Sequence, residues 1–240
     1  MDNSTMNMLR VLKKFIPSII DIDARGVKNI PSEGPALLVG DHPNIIDGLV
    51  LAVTSPRPVK ILVAGELCTS PAVRRIIRNL GWLPVERHQS GKNGDTMEDC
   101  LKSLEAGEVV AIFPEGKTNY GKGLLPFKTG AALLAHKSGV PVVPFSVKGT
   151  EELYPDGSRV FHRGRAAISF GEAVEFGRMN GRIEETRLQT TLDTMKESIL
   201  SLQEPLRMTR VGRGLPLSLD NMAGAAVIKL LSLALLRVKW

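Results

Sequence analysis

Residues 36–48 read ALLVGDHPNIIDG, an apolar run that leads through Gly40 into a polar loop. An uncharged run of this length is typical of a strand buried on both faces of a parallel sheet. The apolar pattern over 45–54 predicts that a helix follows the loop at once. Because open α/β sheets bind ligands beyond the carboxyl ends of their strands, this stretch predicts the fold class and indicates where a site should lie.

The alternation of short apolar runs and helical patterns continues to residue 147. Further apolar runs predict strands at 59–64, 82–85, 109–113 and 140–147. Stretches with helical periodicity predict helices at 71–80, 96–105 and 128–138. Strands that alternate with helices in this way predict an α/β fold with a mostly parallel sheet flanked by helices.

Three segments are expected along the chain. Residues 1–30 should hold an N-terminal amphipathic helix, 31–204 the main domain, and 205–240 a basic linker followed by an apolar C-terminal helix. Within the main domain, apolar runs at 159–161 and 166–170 predict a hairpin. A helix is expected over 183–202, where apolar side chains recur at helical spacing.

Both ends of the chain carry patterns that suit a membrane surface. Near the start, apolar side chains fall on one side of a helical wheel and basic ones on the other: Met8, Leu9, Leu12, Phe15, Ile16, Ile19 and Ile20 against Arg10, Lys13 and Lys14. This is the pattern of an interfacial helix, and equally of a helix packed on the domain. Residues 223–240 are leucine-rich and basic, which suits either an anionic leaflet or burial against the core. No apolar run reaches the roughly 20 residues that a membrane-spanning helix needs.

Composition narrows the class of partner. The net charge of +6 favours anionic partners, such as phosphate-bearing ligands or an acidic membrane surface. Aromatic residues make up only 5% of the chain and no nucleic-acid-binding motif is present, so no nucleic-acid partner is expected. Cys68 and Cys100 have neither metal-ligand nor redox spacing. We therefore expect no metal, and a reducing environment on the cytoplasmic face of a membrane.

His42 and Asp47 can act together only if the histidine lies just before the helix. Five steps along a regular helix turn a side chain by about 140°, whereas a loop histidine can meet an aspartate in the first turn. Pro43 favours this arrangement, because proline is well accommodated at the start of a helix. An aspartate on one imidazole nitrogen fixes the tautomer and lets the other nitrogen take a proton. Asp41 is the alternative partner. No serine or cysteine nucleophile is evident nearby, which indicates that the substrate supplies the hydroxyl.

Three further motifs lie in or after predicted strands. Arg87 closes the run GWLPVER over 81–87, and a guanidinium at a strand end can hold a phosphate. The turn FPEG over 113–116 combines the close backbone approach of glycine with a carboxylate acceptor. The run VPVVP over 140–144 lacks amide donors at its prolines and can line an apolar groove. Each also fits a plain structural role, as a surface arginine, a turn or a buried strand.

Taken together, these motifs resemble the four blocks of the glycerolipid acyltransferases, the glycerol-3-phosphate and 1-acylglycerol-3-phosphate O-acyltransferases. The four blocks are similar to His42-x4-Asp47, Gly81-x5-Arg87, FPEG over 113–116 and Val140-Pro141-x-x-Pro144. The resemblance is strong over residues 30–150. It implies a glycerol-3-phosphate acyltransferase-like fold with membrane-binding amphipathic helices, and it makes 31–204 the acyltransferase domain.

The resemblance also implies roles for individual residues. His42 would be the catalytic base, Asp47 its orienting partner, and Arg87 the residue that holds the phosphate of the acceptor. The third block would supply the rest of the acceptor site: Phe113, Pro114, Glu115, Gly116 and Lys117. Where the family continues with Thr-Arg-Ser after the glycine, this chain reads Lys117-Thr118-Asn119. Lys117 or Lys122 is therefore expected to supply the cation in place of the missing arginine.

The implied reaction moves a fatty acyl group from a thioester, acyl-CoA or acyl carrier protein, to a hydroxyl of a phosphorylated glycerol or lysolipid. The expected acceptor is 1-acylglycerol-3-phosphate, which would give phosphatidic acid in phospholipid biosynthesis, with no cofactor besides the acyl donor. Glycerol-3-phosphate or another lysolipid is the alternative acceptor. The alternative outside the enzymes is a non-catalytic membrane lipid-binding module, against which the intact His42 and Asp47 pair argues.

Overall fold

Seven strands form one sheet in the part of the chain that the structure describes. The structure is a computed structural model, and it describes residues 3–68, 71–85, 93–156 and 161–203. The strands are β1 (Ile20–Arg25), β2 (Ala36–Gly40), β3 (Val59–Ala64), β4 (Leu83–Val85), β5 (Val109–Ile112), β6 (Val142–Lys148) and β7 (Gly164–Phe170). The α-helices are α1 (Asn3–Phe15), α2 (Asp47–Thr54), α3 (Pro71–Asn79), α4 (Asn93–Glu105), α5 (Gly130–Ser138), α6 (Thr150–Leu153) and α7 (Glu185–Gln203).

The sheet has the strand order β1-β7-β6-β2-β5-β3-β4. Neighbouring strands run parallel, except that β6 and β7 are antiparallel. β2 is central, since Leu38 pairs with Ala111 of β5 on one side and with Val143 of β6 on the other. The prediction of a mostly parallel sheet flanked by helices is confirmed. Because β2, β3, β5 and β6 share one direction, the loops that follow them lie along one edge of the sheet.

Alternate side chains of the strands fill separate apolar layers on the two faces. Leu38, Ile61 and Ala111 pack in a layer with buried residues of α1 and α2. Leu37, Val39 and Val110 pack in the other layer, with buried residues of α4, α5 and α7. Burial on both faces explains why these strands are continuous apolar runs without polar alternation.

The N-terminal segment packs on this domain through its apolar side. Leu9, Leu12 and Ile16 are buried in the layer that contains α2. The helix ends at Phe15, a 3-10 turn over Ile16–Ser18 contains Pro17, and residues from Ile20 form β1 at the edge of the sheet. Residues 20–25 are therefore part of the sheet, because β1 pairs in parallel with β7. Met6 and Val11 of α1 remain exposed.

The hairpin predicted from the runs at 159–161 and 166–170 is wrong. β7 pairs with β1 on one edge and with β6 on the other, so both of its hydrogen-bonding edges are occupied by distant strands. Residues 157–160 lie outside the described residues. The helix predicted over 183–202 is confirmed as α7.

The C-terminal segment 205–240, expected to be a linker and an apolar helix, lies outside the described residues. Among the helices that the structure does describe, none has the length and apolar character required to span a bilayer.

Candidate active site

His42 and Asp47 form a hydrogen-bonded pair at the carboxyl end of β2. Nδ1 of His42 lies 2.9 Å from Oδ2 of Asp47. An ionised carboxylate only accepts hydrogen bonds, so Nδ1 carries the proton and Nε2 is left free to take one. The structure thus brings together the two residues that the sequence predicted to meet.

The loop between β2 and α2 explains how residues five positions apart come into contact. His42 precedes the helix, and Asp47 is its first residue. The backbone N–H of Asn44 donates to Oδ2 of Asp47 at 2.7 Å, so the turn closes around the carboxylate. On a regular helix the two side chains would have pointed about 140° apart.

Asp47 is 0% exposed, and both of its carboxylate oxygens have partners. Oδ1 accepts a hydrogen bond from the hydroxyl of Thr150 at 2.6 Å. Burial raises the pKa of the Asp47 carboxyl, while the hydrogen bond with His42 opposes that rise. A carboxylate held in this way orients the imidazole and stabilises the imidazolium that forms when Nε2 takes a proton. The sequence did not mark Thr150, which lies 103 positions away from Asp47.

Glu115 holds the backbone of the His42 loop. This side chain is buried, and its Oε1 accepts the backbone N–H of His42 at 2.8 Å. Oε2 accepts the backbone N–H of Leu125 at 2.8 Å, and the Asn119 amide lies within 3.1 Å of both oxygens. The backbone N–H of Asn119 in turn donates to the carbonyl of His42 at 2.8 Å. The carboxylate that the resemblance assigned to the acceptor site is thus engaged by donors of the protein itself.

An aromatic stack supports the imidazole from behind. The rings of His42 and Phe113 lie 4.2 Å apart between centroids and 19° from parallel. Phe145 of β6 meets Phe113 edge-on, with centroids 5.7 Å apart. The run 140–144, which the sequence suggested for an apolar groove, is not part of the described cavity wall. Its strand instead carries Phe145, which is fully buried and packs against the ring beneath His42.

Gly116 makes room for a lysine. Its φ is +69°, and a Cβ at this position would lie 2.7 Å from Cε of Lys128. The Lys128 side chain therefore crosses the backbone of Gly116 at the cavity wall. Lys117, which was expected to supply the cation, is exposed and does not line the cavity. The signal for Lys128 was its place as the first residue of the helix predicted over 128–138, which follows the FPEG turn along the chain.

Asp41 does not pair with His42. Its buried carboxylate accepts hydrogen bonds from the Ser146 hydroxyl at 2.9 Å, the Val147 backbone N–H at 2.8 Å and the Gln203 amide at 2.9 Å. Burial raises the pKa of Asp41 to about 7, against these hydrogen bonds. Of the two aspartates that the sequence offered, Asp47 is the partner of the histidine.

A cavity of about 680 Å³ opens beside His42. We call the part of the cavity beside His42 its reacting end. The wall there is assigned to His42 and to lining residues in or near the FPEG turn: Phe113, Pro114, Gly116, Thr118 and Lys128. From there the wall is largely apolar, and it includes residues of α3 and α5. A concave, largely apolar site with a few polar groups is suited to a ligand that has a hydrocarbon part and a reactive polar part.

Arg87, the residue expected to hold the phosphate of the acceptor, lies outside the described residues. Within the described ranges, no group of three or more His, Cys, Asp or Glu side chains is arranged to hold a metal ion.

Comparison with known proteins links the site to a family. The sequence profile described as "Acyltransferase" matches residues 21–148, which include His42, Asp47 and the FPEG turn. The chain is 31% identical over 137 residues to a chloroplastic 1-acyl-sn-glycerol-3-phosphate acyltransferase of Brassica napus, covering 57% of this chain and 40% of that protein. It is 27% identical over 166 residues to the sheep (Ovis aries) 1-acyl-sn-glycerol-3-phosphate acyltransferase alpha, covering 68% and 58%.

A solved structure shares the fold. The crystal structure of the 1-acyl-sn-glycerophosphate acyltransferase PlsC from Thermotoga maritima matches with a TM-score of 0.64 at 23% identity, over 83% of this chain and 81% of that one. The chain spans 40% to 58% of the length of the curated relatives above. Because the family profile covers more than half of the sequence, including the His42 and Asp47 pair, the chain belongs to the acyltransferase family.

Proposed function

We propose that this protein transfers a fatty acyl group from a thioester to the free hydroxyl of a 1-acylglycerol-3-phosphate, which yields phosphatidic acid. The observation that carries the proposal is the 2.9 Å contact between Nδ1 of His42 and Asp47 at the wall of an apolar cavity. The relatives named 1-acyl-sn-glycerol-3-phosphate acyltransferase support this choice of acceptor.

In the proposed reaction, Nε2 of His42 removes the proton of the acceptor hydroxyl as the oxygen attacks the thioester carbonyl. Asp47 stabilises the imidazolium that results. When the tetrahedral intermediate collapses, the carbon–sulfur bond breaks and the departing sulfur takes the proton from His42. The products are an ester and a free thiol, and the histidine returns to its neutral form. The thioester is already activated, so no covalent acyl-enzyme is needed.

The rest of the cavity suits the two substrates. Its apolar walls can hold hydrocarbon, and each buried methylene contributes about 0.8 kcal/mol. Lys128 at the reacting end is placed to attract the phosphate of the acceptor as a point charge. Arg87 remains our proposal for a second phosphate contact. The donor is proposed to be acyl-CoA or acyl carrier protein, since the cavity receives the acyl chain that both carry.

We further propose that the protein works at the cytoplasmic face of a membrane. Met6 and Val11 of α1 are exposed, and Arg10, Lys13 and Lys14 lie on the same helix. This mixture of apolar and basic side chains suits the interface of an anionic bilayer. Cys68 and Cys100, both within the described residues, are not joined in a disulfide, in keeping with a reducing compartment. Co-sedimentation with anionic vesicles tests this, and equal recovery with neutral vesicles would count against an anionic surface.

The activity is tested with purified full-length protein and each pairing of donor and acceptor. Donors are acyl-CoA and acyl carrier protein, acceptors are 1-acylglycerol-3-phosphate and glycerol-3-phosphate, and thiol release is followed together with product mass. We expect His42→Ala to abolish turnover. His162→Ala is the matched control, because His162 lies outside the described cavity wall. Undiminished turnover by His42→Ala would contradict the proposal, and preferred acylation of glycerol-3-phosphate would replace the acceptor.

A further inference from the structure

The cavity beside His42 extends onto both faces of the sheet. Its wall includes three consecutive residues of β3, namely Ile61, Leu62 and Val63. Successive side chains of a strand point to opposite faces, so Leu62 faces one side and its two neighbours face the other. The packing agrees, since Ile61 belongs to the apolar layer of α2 and Leu62 packs against the layer of α5.

The remaining apolar wall residues divide in the same way. On one face lie Ile45, Leu49, Ile61, Val63, Val73 and Ile77, which we call the α3 lobe. On the other face lie Leu62, Met97, Cys100, Ile112, Leu133 and Leu134, which we call the α5 lobe. The sheet separates the two lobes, and both belong to the same cavity as His42 and Phe113 at the carboxyl ends of the strands.

The two lobes differ in charge. None of the wall residues named for the α3 lobe is charged, whereas Lys128 and Lys137 belong to the wall on the α5 side. The Lys128 side chain crosses Gly116, the last residue of the FPEG turn, and Lys137 is in the last turn of α5. The eight residues from Gly130 to Lys137 span about 10 Å of helix. The α5 lobe therefore has one cation near the reacting end, Lys128, and a second in the last turn of α5, Lys137, with the apolar wall residues of α5 between them in sequence.

We infer that the two lobes hold the hydrocarbon chains of the two substrates separately. The acyl chain of the donor occupies the uncharged α3 lobe. The acceptor places its phosphate near Lys128 and its own chain along the α5 lobe. This inference rests on the proposed function, because it assumes a thioester donor and an acceptor that already carries one acyl chain. His42 lines the cavity to which both lobes belong, as the inference requires if it is to act on a hydroxyl from one lobe and a carbonyl from the other.

Matched substitutions in the two lobes test the inference. Ile77→Phe narrows the α3 lobe and Leu133→Phe narrows the α5 lobe, each by the addition of bulk to an aliphatic wall residue. The full-length variants are assayed with two substrate series. The first varies the donor from octanoyl to stearoyl thioester with one acceptor. The second varies the acyl chain of the 1-acylglycerol-3-phosphate from octanoyl to stearoyl with one donor.

We expect Ile77→Phe to shift the donor preference toward shorter chains and to leave the acceptor profile unchanged. Leu133→Phe should do the opposite. Each methylene displaced from its lobe should lower kcat/KM by about fourfold. If a phenylalanine variant fails to fold, Val73→Leu and Met97→Phe narrow the same two lobes at other positions.

The outcomes separate the inference from the proposed function. If the unsubstituted protein transfers no acyl group with any pairing of donor and acceptor, the proposed function itself is refuted. Acyl transfer in which both substitutions alter the same profile, or in which neither alters any, would overturn the assignment of lobes and leave the proposed function standing. A reversed result, with Leu133→Phe changing donor length, would equally overturn it.

Discussion

The hydroxyl of Thr150 donates to Oδ1 of Asp47 at 2.6 Å, while the imidazole of His42 occupies Oδ2 of the same carboxylate at 2.9 Å. The two partners approach different oxygens, and the backbone N–H of Asn44 adds a third hydrogen bond. A buried carboxylate with this many partners can remain charged beside the histidine despite its burial. The orientation of His42 therefore depends on α6 as well as on its own loop.

Asp47→Asn should lower kcat by about 10²- to 10⁴-fold while KM for the acceptor changes little. The amide keeps the shape of the carboxylate but cannot supply the charge that stabilises the imidazolium. Steady-state kinetics on both substrates check this, with Asp193→Asn on the exposed side of α7 as the control. A variant with normal kcat would mean that Asp47 has only a structural role.

Thr150→Val should lower kcat by about 10-fold, a smaller loss than for Asp47→Asn. Loss of the hydroxyl leaves Oδ1 of Asp47 buried without this partner, so the pKa of the carboxyl should rise further. The carboxyl would then be protonated at a higher pH, so the acid limb of the pH–rate profile should move to higher pH. Thr190→Val, at an exposed position of α7, is the control and should leave that profile in place.

Glu115→Gln should destabilise the fold and reduce kcat without raising KM for the acceptor. The carboxylate accepts hydrogen bonds from His42, Asn119 and Leu125 on its two oxygens. Glutamine keeps one acceptor oxygen, but the nitrogen that replaces the other oxygen cannot accept a hydrogen bond. We expect a loss of about 1–3 kcal/mol in the free energy of unfolding. Denaturant unfolding and kinetics measure the two effects together. A selective rise in KM would instead support direct contact of Glu115 with the acceptor.

Gly116→Ala should raise KM for the phosphorylated acceptor more than it harms stability. The new methyl group would meet the Lys128 side chain, which must then move away from the cavity wall. Gly123→Ala is a matched control, because Gly123 also has a positive φ, of +94°, but a Cβ there meets nothing within 4 Å. Both variants incur the backbone strain of a positive φ, about 1–2 kcal/mol. Equal KM values for the two variants would show that Lys128 has no part in acceptor binding.

The buried Asp41 should make stability fall as the pH rises. Burial raises the pKa of this carboxyl to about 7 in the folded protein. In the unfolded chain it titrates near 3.9, so between these values the folded state holds a proton that the unfolded state has lost. The contribution of Asp41 to the free energy of unfolding should therefore decrease by about 2–4 kcal/mol as the pH rises from about 4 to about 7.

Asp41→Asn removes this titration and keeps an oxygen that can accept from the Val147 backbone N–H. Denaturant unfolding of the variant and the unsubstituted protein at several pH values isolates the Asp41 contribution by difference. Asp47, whose pKa burial also raises, is present in both proteins, so the difference contains the titration of Asp41 together with the repulsion between the two carboxylates. A difference that is constant with pH would show that Asp41 is charged in the folded state throughout this range.

The sequence by itself determined the order of strands and helices along most of the chain, and it limited the carboxylate partner of His42 to Asp47 or Asp41. Both are local properties. The period of the apolar residues distinguishes strands from helices. Pro43 favours a loop at His42, so that His42 and Asp47, five positions apart, can meet where that loop enters α2. The FPEG turn was also visible, because glycine and proline mark turns directly.

Only the tertiary structure decided which distant groups complete the site. Thr150 reaches Asp47 from 103 positions away, Glu115 reaches the backbone of His42 from 73 positions away, and the two edges of β7 are filled by β1 and β6 instead of a hairpin partner. Such contacts depend on the order in which strands join the sheet. That order minimises the free energy of the whole packed domain, and no local pattern of side chains encodes it.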